Sequence, residues 1–182
     1  MGLIVSRLRL ALIGPTVHRV VMVGLDSSGK TTLVHRLKTG EVTIAVPTTG
    51  FNIEAVQYRD VSFDIWDISG QYAHRFMWRH YFCNAQALIF VVNSADEERI
   101  SLAREWVLYA LCELKRQGLN AKLLILAHRQ DIQGAMSSED IADALRLNEI
   151  KDREWHIQRT SAFTGEGLPE ALEWLYNAVT KV

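Results

Sequence analysis

The residues of this chain best suited to chemistry form one segment, Gly24-Leu25-Asp26-Ser27-Ser28-Gly29-Lys30-Thr31. Its spacing matches the phosphate-loop pattern G-x-x-x-x-G-K-[ST]. The two glycines permit a turn in which successive backbone N–H groups point at phosphate oxygens. In this pattern Lys30 reaches the β- and γ-phosphates, and the Thr31 hydroxyl binds Mg²⁺. The segment, called the phosphate loop below, predicts a nucleotide-phosphate site.

A second group of polar residues follows a predicted strand, in the run Asp67-Ile68-Ser69-Gly70-Gln71. An acid at the end of a buried strand beside a phosphate loop typically holds the metal ion. The glycine can offer its N–H to a terminal phosphate, and the glutamine can orient a water molecule. On these residues alone, an ordinary polar turn fits the run equally well. The preceding segment 40–50 is rich in Gly, Pro and Thr, which predicts a mobile loop whose threonines could complete a Mg²⁺ shell.

Hydrophobic periodicity predicts the elements that position these motifs. A short buried strand, Val20–Val23, precedes the phosphate loop, and Leu33, Val34 and Leu37 follow it at helical spacing. Further strands are predicted at Ile53–Tyr58, Val61–Trp66, Ala87–Val92, Lys122–Ala127 and Trp155–Thr160, the first two joined as a hairpin through Arg59-Asp60. Further helices are predicted at Glu97–Gln117, Ser137–Leu147 and Leu168–Val179, with Ser137 or Ser138 as the cap of the second.

This alternation of strands and helices predicts an α/β fold. The expected architecture is a doubly wound, mostly parallel six-stranded sheet with one antiparallel strand and helices on both faces. In such a sheet the nucleotide lies at the carboxyl ends of the strands, which is where the motifs fall.

Composition limits the classes of function. The chain has 182 residues and a formal net charge of −1, and it shows no basic stripe, so we expect one domain and no nucleic-acid partner. Cys83 and Cys112 lack CxxC spacing, and we expect both to be buried small hydrophobes in a reducing compartment. No apolar run reaches the roughly 18 residues that a transmembrane helix needs.

The amino terminus, Met1-Gly2-Leu3-Ile4-Val5-Ser6, fits the pattern for N-myristoylation of Gly2. Residues 3–13 predict a short, imperfectly amphipathic helix that ends at Gly14-Pro15. Such a helix can lie in a membrane interface but cannot span a bilayer, and a lipid with a helix makes a reversible anchor. The alternative is a helix that packs on the domain. We therefore divide the chain into a myristoylated amphipathic segment, 1–17, and a globular domain, 18–182.

Most of the five tryptophans are expected in the core. Three aromatic residues that flank the predicted mobile loops are an exception. Phe51, Trp66 and Tyr81, called the aromatic triad below, are expected to form an exposed apolar patch whose shape depends on the nucleotide.

Taken together, these motifs resemble the small GTPases of the ADP-ribosylation factor (Arf) and Arf-like family, in the Ras superfamily, over essentially the whole chain. The residues that carry the resemblance are Met1-Gly2, GLDSSGKTT (24–32), PTTGFN (47–52), WDISGQ (66–71), WRHYF (78–82) and HRQD (128–131). The resemblance implies the P-loop NTPase fold and a guanine-nucleotide ligand.

The resemblance also implies roles for individual residues. Thr31 and Thr48 would bind Mg²⁺ directly, and Asp67 would hold it through water. Gly70 would contact the γ-phosphate, and Gln71 would be the catalytic residue that positions water. The full set implied to bind nucleotide is Gly24, Leu25, Asp26, Ser27, Ser28, Gly29, Lys30, Thr31, Thr32, Thr48, Gly70, His128, Arg129, Asp131, Ser161 and Ala162.

At the base, Asp131 would accept from guanine N1 and N2, the stem of Arg129 would lie on the base face, and the Ala162 N–H would donate to O6. The aromatic triad matches the effector-binding aromatics of the family. Residues 52–67 match the hairpin that, in the family, shifts register on GTP binding and expels the amino-terminal helix toward the membrane.

Arg129 stands where the family usually has Lys, and two further departures from the family pattern matter more. His128 stands where the family has the Asn of N-K-x-D, and Ser69 stands where it has the first Gly of W-D-x-G-G-Q. The imidazole has a different donor and acceptor geometry, so guanine affinity is expected to fall. A side chain at Ser69 restricts the backbone near the γ-phosphate and is expected to slow the switch or hydrolysis.

The resulting hypothesis is a switch that binds GTP, hydrolyses it slowly to GDP, and couples nucleotide state to membrane association, effector recruitment and vesicular trafficking. Its expected partners are an exchange factor, a GTPase-activating protein, effectors and a membrane surface. We expect a monomer in the cytoplasm that cycles onto an intracellular membrane, Golgi or endosomal. The alternative is a nucleotide-binding scaffold with weak guanine specificity and little hydrolysis because of His128 and Ser69. A nucleotide kinase is disfavoured because the loops are too short for a lid.

Overall fold

Six β-strands form one sheet in the computed structural model, which describes residues 14–43 and 45–181. The spatial order is β2-β3-β1-β4-β5-β6, and β2 alone runs antiparallel to its neighbour, β3. This confirms the predicted six-stranded, doubly wound sheet. The strands are β1 Thr16–Gly24, β2 Phe51–Tyr58, β3 Val61–Ile68, β4 Ala87–Asn93, β5 Lys122–His128 and β6 Trp155–Thr160.

Five α-helices connect and cover the strands in the described part of the chain. They are α1 Lys30–Thr39, α2 Tyr72–Arg75, α3 Ile100–Arg116, α4 Ser138–Ala144 and α5 Leu168–Thr180. Single 3-10 turns occur at Trp78–His80, Glu97–Arg99 and Leu147–Glu149.

The central strands β1, β4 and β5 contain long apolar runs, typical of a sheet covered on both faces: Val20–Val23, Ala87–Val92 and Leu123–Ala127. In β1, Val20 and Met22 pack with α1 and α5, whereas Val21 and Val23 pack with α3 and α4. All four side chains are fully buried. Two hydrophobic cores therefore hold β1, and with it the phosphate loop, from both sides.

The predicted elements agree with the structure except near their ends. β1 begins at Thr16, before the predicted Val20, because it pairs with β3 from Thr16↔Val61 onward although Arg19 interrupts its apolar pattern. The predicted helix Ser137–Leu147 is shorter in the structure and ends at Ala144, and Arg146 then adopts a positive φ of 54°. Such a backbone conformation ends a helix.

The turn of the β2–β3 hairpin lies at Arg59-Asp60, as predicted, and contacts α5. Arg59 adopts a positive φ of 54°. Its guanidinium pairs with Glu173 at 2.6 Å, and the Tyr58 hydroxyl donates to the same carboxylate at 2.6 Å. The Tyr176 hydroxyl donates to Asp60 at 2.9 Å. The tip of the hairpin is thus tied to the carboxyl-terminal helix.

The prediction that both cysteines are buried is wrong. Cys83 and Cys112 are both exposed free thiols. Cys83 lies in the turn after the buried Phe82, and Cys112 lies on the face of α3 opposite the side that packs through Trp106 and Ala110.

The predicted amino-terminal helix, the lipidation of Gly2 and the domain boundary after residue 17 depend on residues 1–13, which lie outside the described part. They stay predictions. Among the helices of residues 14–43 and 45–181, none has the length and apolar character needed to cross a bilayer.

The structure decides which serine caps α4. Ser137 accepts a hydrogen bond from the Asp140 N–H at 3.1 Å, and Asp140 reaches back to the Ser137 N–H at 3.3 Å, which forms a capping box. We expect Ser137→Ala to lower the free energy of unfolding by about 1 kcal/mol, because the Asp140 N–H at the helix end loses its side-chain acceptor. The same substitution at the adjacent Ser138, which is not the cap, is the matched control. Equal losses for both variants in urea unfolding would contradict this assignment.

Candidate nucleotide-binding site

A cavity of about 650 Å³ opens at the carboxyl ends of the strands. This is where a doubly wound sheet binds its ligands. Its lining includes predicted site residues from the phosphate loop, from loop 40–50, from the end of β3 and from the loop after β5: Asp26, Ser27, Ser28, Gly29, Lys30, Thr31, Thr32, Thr48, Gly70, Gln71 and Arg129. Ala45, Val46, Pro47, Ser69 and Tyr72 also line it. The other residues predicted to bind nucleotide, Gly24, Leu25, His128, Asp131, Ser161 and Ala162, lie outside this lining.

Three glycines allow backbone segments to approach closely around the phosphate loop. A side chain on Gly24, whose φ is 151°, would overlap the carbonyl oxygen of Val91 in β4. A side chain on Gly70 would overlap the backbone of Gly24 and Leu25. Gly29 caps α1 with a φ of 89°. The end of β3 therefore rests directly on the phosphate loop, with no side chain between them.

The side chain of Lys30 is buried within the phosphate loop. Its ammonium group donates to the carbonyl oxygens of Gly24 and Leu25 at 3.0 and 2.8 Å. Burial lowers the pKa of Lys30 to about 8, although the charges of Asp67 and Asp26 oppose the shift. The positive charge of Lys30 is therefore only partly balanced by nearby acidic groups, and an anionic ligand would balance the rest.

Three oxygen-bearing side chains meet beside Lys30. The Thr31 hydroxyl donates to Asp67 Oδ2 at 2.6 Å and lies 2.8 Å from the Thr48 hydroxyl. Asp67 is 1% exposed, and its Oδ1 has no hydrogen-bond partner among residues 14–43 and 45–181. Burial raises the pKa of Asp67, opposed by the hydrogen bond from Thr31. Hydroxyl and carboxylate oxygens are the ligands that Mg²⁺ prefers, and a buried carboxylate with a free oxygen fits a metal site.

A carboxylate–arginine cluster, which the sequence analysis missed, secures the outer side of the phosphate loop. The buried Arg75 of α2 pairs with Asp26 at 2.7 Å and donates to the Gly70 carbonyl at 2.8 Å. Arg99 pairs with the other oxygen of Asp26 at 3.1 Å. Burial opposes ionisation of Asp26, but Arg99 and then Arg75 lower its pKa overall. The cluster clamps the segment after β3 onto the loop, and no spacing in the sequence signals it.

The residues predicted to recognise the base lie at the ends of β5 and β6. Ser161 is buried and donates to Asp131 Oδ1 at 2.5 Å, which fixes the carboxylate. Ala162, which follows Ser161, is also buried. Arg129 adopts a positive φ of 67° and lines the cavity beside Gly29. Of these four residues the structure therefore places Arg129 at the cavity, whereas Asp131, Ser161 and Ala162 lie outside its lining.

His128 is 3% exposed and packs between the phosphate loop and β6. Its Nδ1 lies 3.1 Å from the Thr160 hydroxyl, and its ring edge occupies the space that a side chain on Gly29 would need. Burial lowers the pKa of His128 to about 4, helped by the charge of Arg129 and opposed by Asp131. The imidazole is therefore neutral at pH 7. It connects the two loops by packing.

The aromatic triad forms a contiguous surface. The Phe51 ring lies 5.3 Å from Trp66 and 5.2 Å from Tyr81, measured between centroids, and Phe51 is 42% exposed. The guanidinium of Arg19 lies 3.7 Å from the Trp66 ring centroid and donates to the Tyr81 carbonyl at 2.9 Å. Phe51 is exposed, whereas Trp66 and Tyr81 are partly buried against the core.

Comparisons with known proteins agree with this geometry. A family model described as "ADP-ribosylation factor family" matches residues 6–179. Among solved structures, the chain is similar to the Arl6 BBS3 small GTPase from Trypanosoma brucei with bound nucleotide analogue GppNp. The two share 29% sequence identity, the alignment covers 91% of this chain and 98% of that one, and the TM-score is 0.82.

The low pKa of Lys30 predicts how binding of a nucleoside diphosphate depends on pH. Phosphates raise the pKa of the bound ammonium, so above pH 8 binding must take up a proton. The affinity of the nucleotide-free protein is expected to be constant below about pH 8 and then to fall by up to about tenfold per pH unit. Titration by fluorescence or calorimetry from pH 6 to 9.5 measures this profile.

Lys30→Met is the control, because it removes the titrating amine and keeps any pH dependence of the nucleotide itself. The difference between the two profiles reports Lys30. Parallel profiles above pH 8 would show that Lys30 does not titrate in this range.

Proposed function

The chain belongs to the ADP-ribosylation factor family of small GTPases, and from this membership we propose that it is a molecular switch that binds GTP and hydrolyses it to GDP. One observation carries the proposal beyond family membership. Thr31, Thr48 and Asp67, from three different parts of the chain, meet within hydrogen-bond distance beside the buried Lys30. This is the arrangement that a metal-bound triphosphate requires.

We infer that Mg²⁺ is the metal of this site. Thr31 and Thr48 would ligate it directly, and Asp67 would hold it through water at its free Oδ1. When bound, Mg²⁺ neutralises charge on the β- and γ-phosphates. Asp67 supports this role because its buried carboxylate already accepts from Thr31 and so keeps the hydroxyl in place.

The chain's own residues would promote in-line attack of water on the γ-phosphate. Lys30 and the N–H groups of the phosphate loop and Gly70 would stabilise the developing charge. Gln71 is exposed at the cavity, where its amide can hold the attacking water. Of the described residues that line the cavity, Arg129 at the base end is the one arginine, and none lines the phosphate end. We therefore expect slow hydrolysis, which an activating protein that supplies an arginine would accelerate by about 10³- to 10⁵-fold.

Guanine recognition would centre on Asp131. Its carboxylate, fixed by Ser161, can accept from both N1–H and N2–H of guanine. Arg129 would cover the base face, and the Ala162 N–H would donate to O6. His128 favours a second candidate function, a scaffold with weak guanine specificity. Its imidazole packs between Gly29 and Thr160 and so does not contribute a contact to the base.

The cellular role that we propose follows the family. Gly2 would carry a myristoyl group, and residues 1–17 would bind a membrane when GTP is bound. The aromatic triad would contact effectors, because it exposes apolar rings beside the cavity loops. An exchange factor and an activating protein would set the nucleotide state. The protein would act as a cytoplasmic monomer that cycles onto a Golgi or endosomal membrane during vesicular trafficking.

Base specificity distinguishes the proposed GTP-binding switch from the alternative, a nucleotide-binding scaffold. The protein is expected to release guanine nucleotide on denaturation and to bind GDP in preference to ADP. Asp131→Asn replaces an acceptor by an amide, so GDP binding should weaken by about 10- to 100-fold while xanthosine diphosphate binding improves. Competition titration with a fluorescent analogue measures the ratio. Asp143→Asn, the same change at an exposed position of α4, is the control. Weak binding without base preference would favour the scaffold.

Replacement of Gln71 separates binding from hydrolysis. Gln71→Leu cannot hold the attacking water, so it should bind GTP as the unaltered protein does and hydrolyse it at least tenfold more slowly. Single-turnover phosphate release from preloaded protein measures the rate. Gln133→Leu, at an exposed position in the turn after β5, should hydrolyse normally. Unchanged turnover in Gln71→Leu would exclude Gln71 as the water-positioning residue.

A further inference from the structure

Ser69, which replaces a family glycine, is fixed on both sides of its backbone. Its N–H donates to the Gly50 carbonyl at 2.8 Å, and its carbonyl accepts from the indole N–H of Trp78 at 2.9 Å. The residue is 1% exposed. A buried hydroxyl must find partners in the protein, because water does not reach it.

The Ser69 hydroxyl finds two partners. Its Oγ accepts from the Gln71 N–H at 3.4 Å and lies 3.1 Å from Nδ1 of His74 in α2. The backbone N–H of His74 in turn donates to the Gln71 carbonyl at 2.9 Å. These contacts form a closed hydrogen-bonded unit, the Ser69–Gln71–His74 ring. A hydroxyl donates and accepts at once, so the unit needs no further group to satisfy Ser69.

The ring holds the backbone of Gln71 and leaves its side chain free. The N–H and the carbonyl of Gln71 are both engaged, whereas the side chain is exposed at the cavity. Gln71, the residue just before α2, has an extended backbone with φ −60° and ψ 140°, and its side chain does not cap the helix. The backbone of Gln71 is therefore fixed, while its side-chain amide remains free to bind a water molecule in the cavity.

We propose that Ser69 and His74 are positioning residues for Gln71, which they hold in the geometry that hydrolysis requires. This inference rests on the proposed GTPase function. It differs from the expectation that a side chain at Ser69 only restricts the backbone and slows the reaction. If the Ser69 side chain only restricts the backbone, Ser69→Gly should hydrolyse GTP faster than the unaltered protein. If the hydroxyl positions Gln71, Ser69→Gly should hydrolyse GTP more slowly.

The test combines hydrolysis with nucleotide affinity. Ser69→Ala and His74→Ala each remove one group of the ring, and each should lower the single-turnover rate by about fivefold, the effect of one hydrogen bond. GDP affinity should stay within about twofold, because neither side chain lies at the base or in the phosphate loop. The double variant should be no slower than the slower single variant, because the groups act as one unit.

Three further variants sharpen the result. His74→Asn places an amide near the position of Nδ1 and should restore most of the rate. Ser69→Gly should be as slow as Ser69→Ala. His80→Ala, an exposed histidine of the same segment outside the ring, should hydrolyse normally. A faster Ser69→Gly, rates within twofold for both alanine variants, or a multiplicative loss in the double variant would overturn the proposal.

Hydrogen exchange at the backbone N–H of Gln71 tests whether the ring forms, independently of GTP hydrolysis. The amide should be protected in the unaltered protein and should exchange at least about fivefold faster in Ser69→Ala. A protein that binds GTP but never hydrolyses it would refute the proposed function and the role of the ring in catalysis. In that case the exchange rate still decides whether the ring exists, and an unprotected amide would refute that as well.

Discussion

The site depends on one close approach between backbones. Gly70, just after β3, lies against the carbonyl of Gly24 and the backbone of Leu25, just after β1. Only glycine fits there, because any Cβ would overlap the phosphate loop. The parallel register Met22↔Asp67 sets this meeting, since it aligns the ends of the two strands. The metal site, the Asp26–Arg75 pair and the position of Gln71 all follow from it.

Much of this arrangement was predictable from local sequence. The phosphate loop has a fixed spacing because its chemistry tolerates few alternatives, and its flanking strand and helix have clear periodicity. All six strands were predicted, and β1, β4 and β5 left the clearest signal because they contain apolar runs covered on both faces. The ends of β1 and α4 were less accurate, because strand pairing and a residue with positive φ determine them.

The side-chain contacts around the phosphate loop and the end of β3 were not predictable in the same way. The partner of Asp26 is Arg75, and the partner of Ser69 is His74, yet arginine and histidine are common on any surface. Only the fold shows that these side chains are buried and directed at one another. His128 illustrates the same limit. Its identity suggested an altered contact with the base, whereas its surroundings show a neutral ring packed between Gly29 and Thr160.

The edge strand β2 buries less than the rest of the sheet, and Val56 is its one buried side chain. The tight turn at Arg59-Asp60 fixes the pairing of β2 with β3, so the two strands could slide only together, as one hairpin, along β1. A slip by one residue would turn Val56 outward, so a permitted step is two residues, or about 7 Å. Such a step would carry Phe51 along the edge of the sheet without turning it over, and it would have to release the hairpin tip from Glu173.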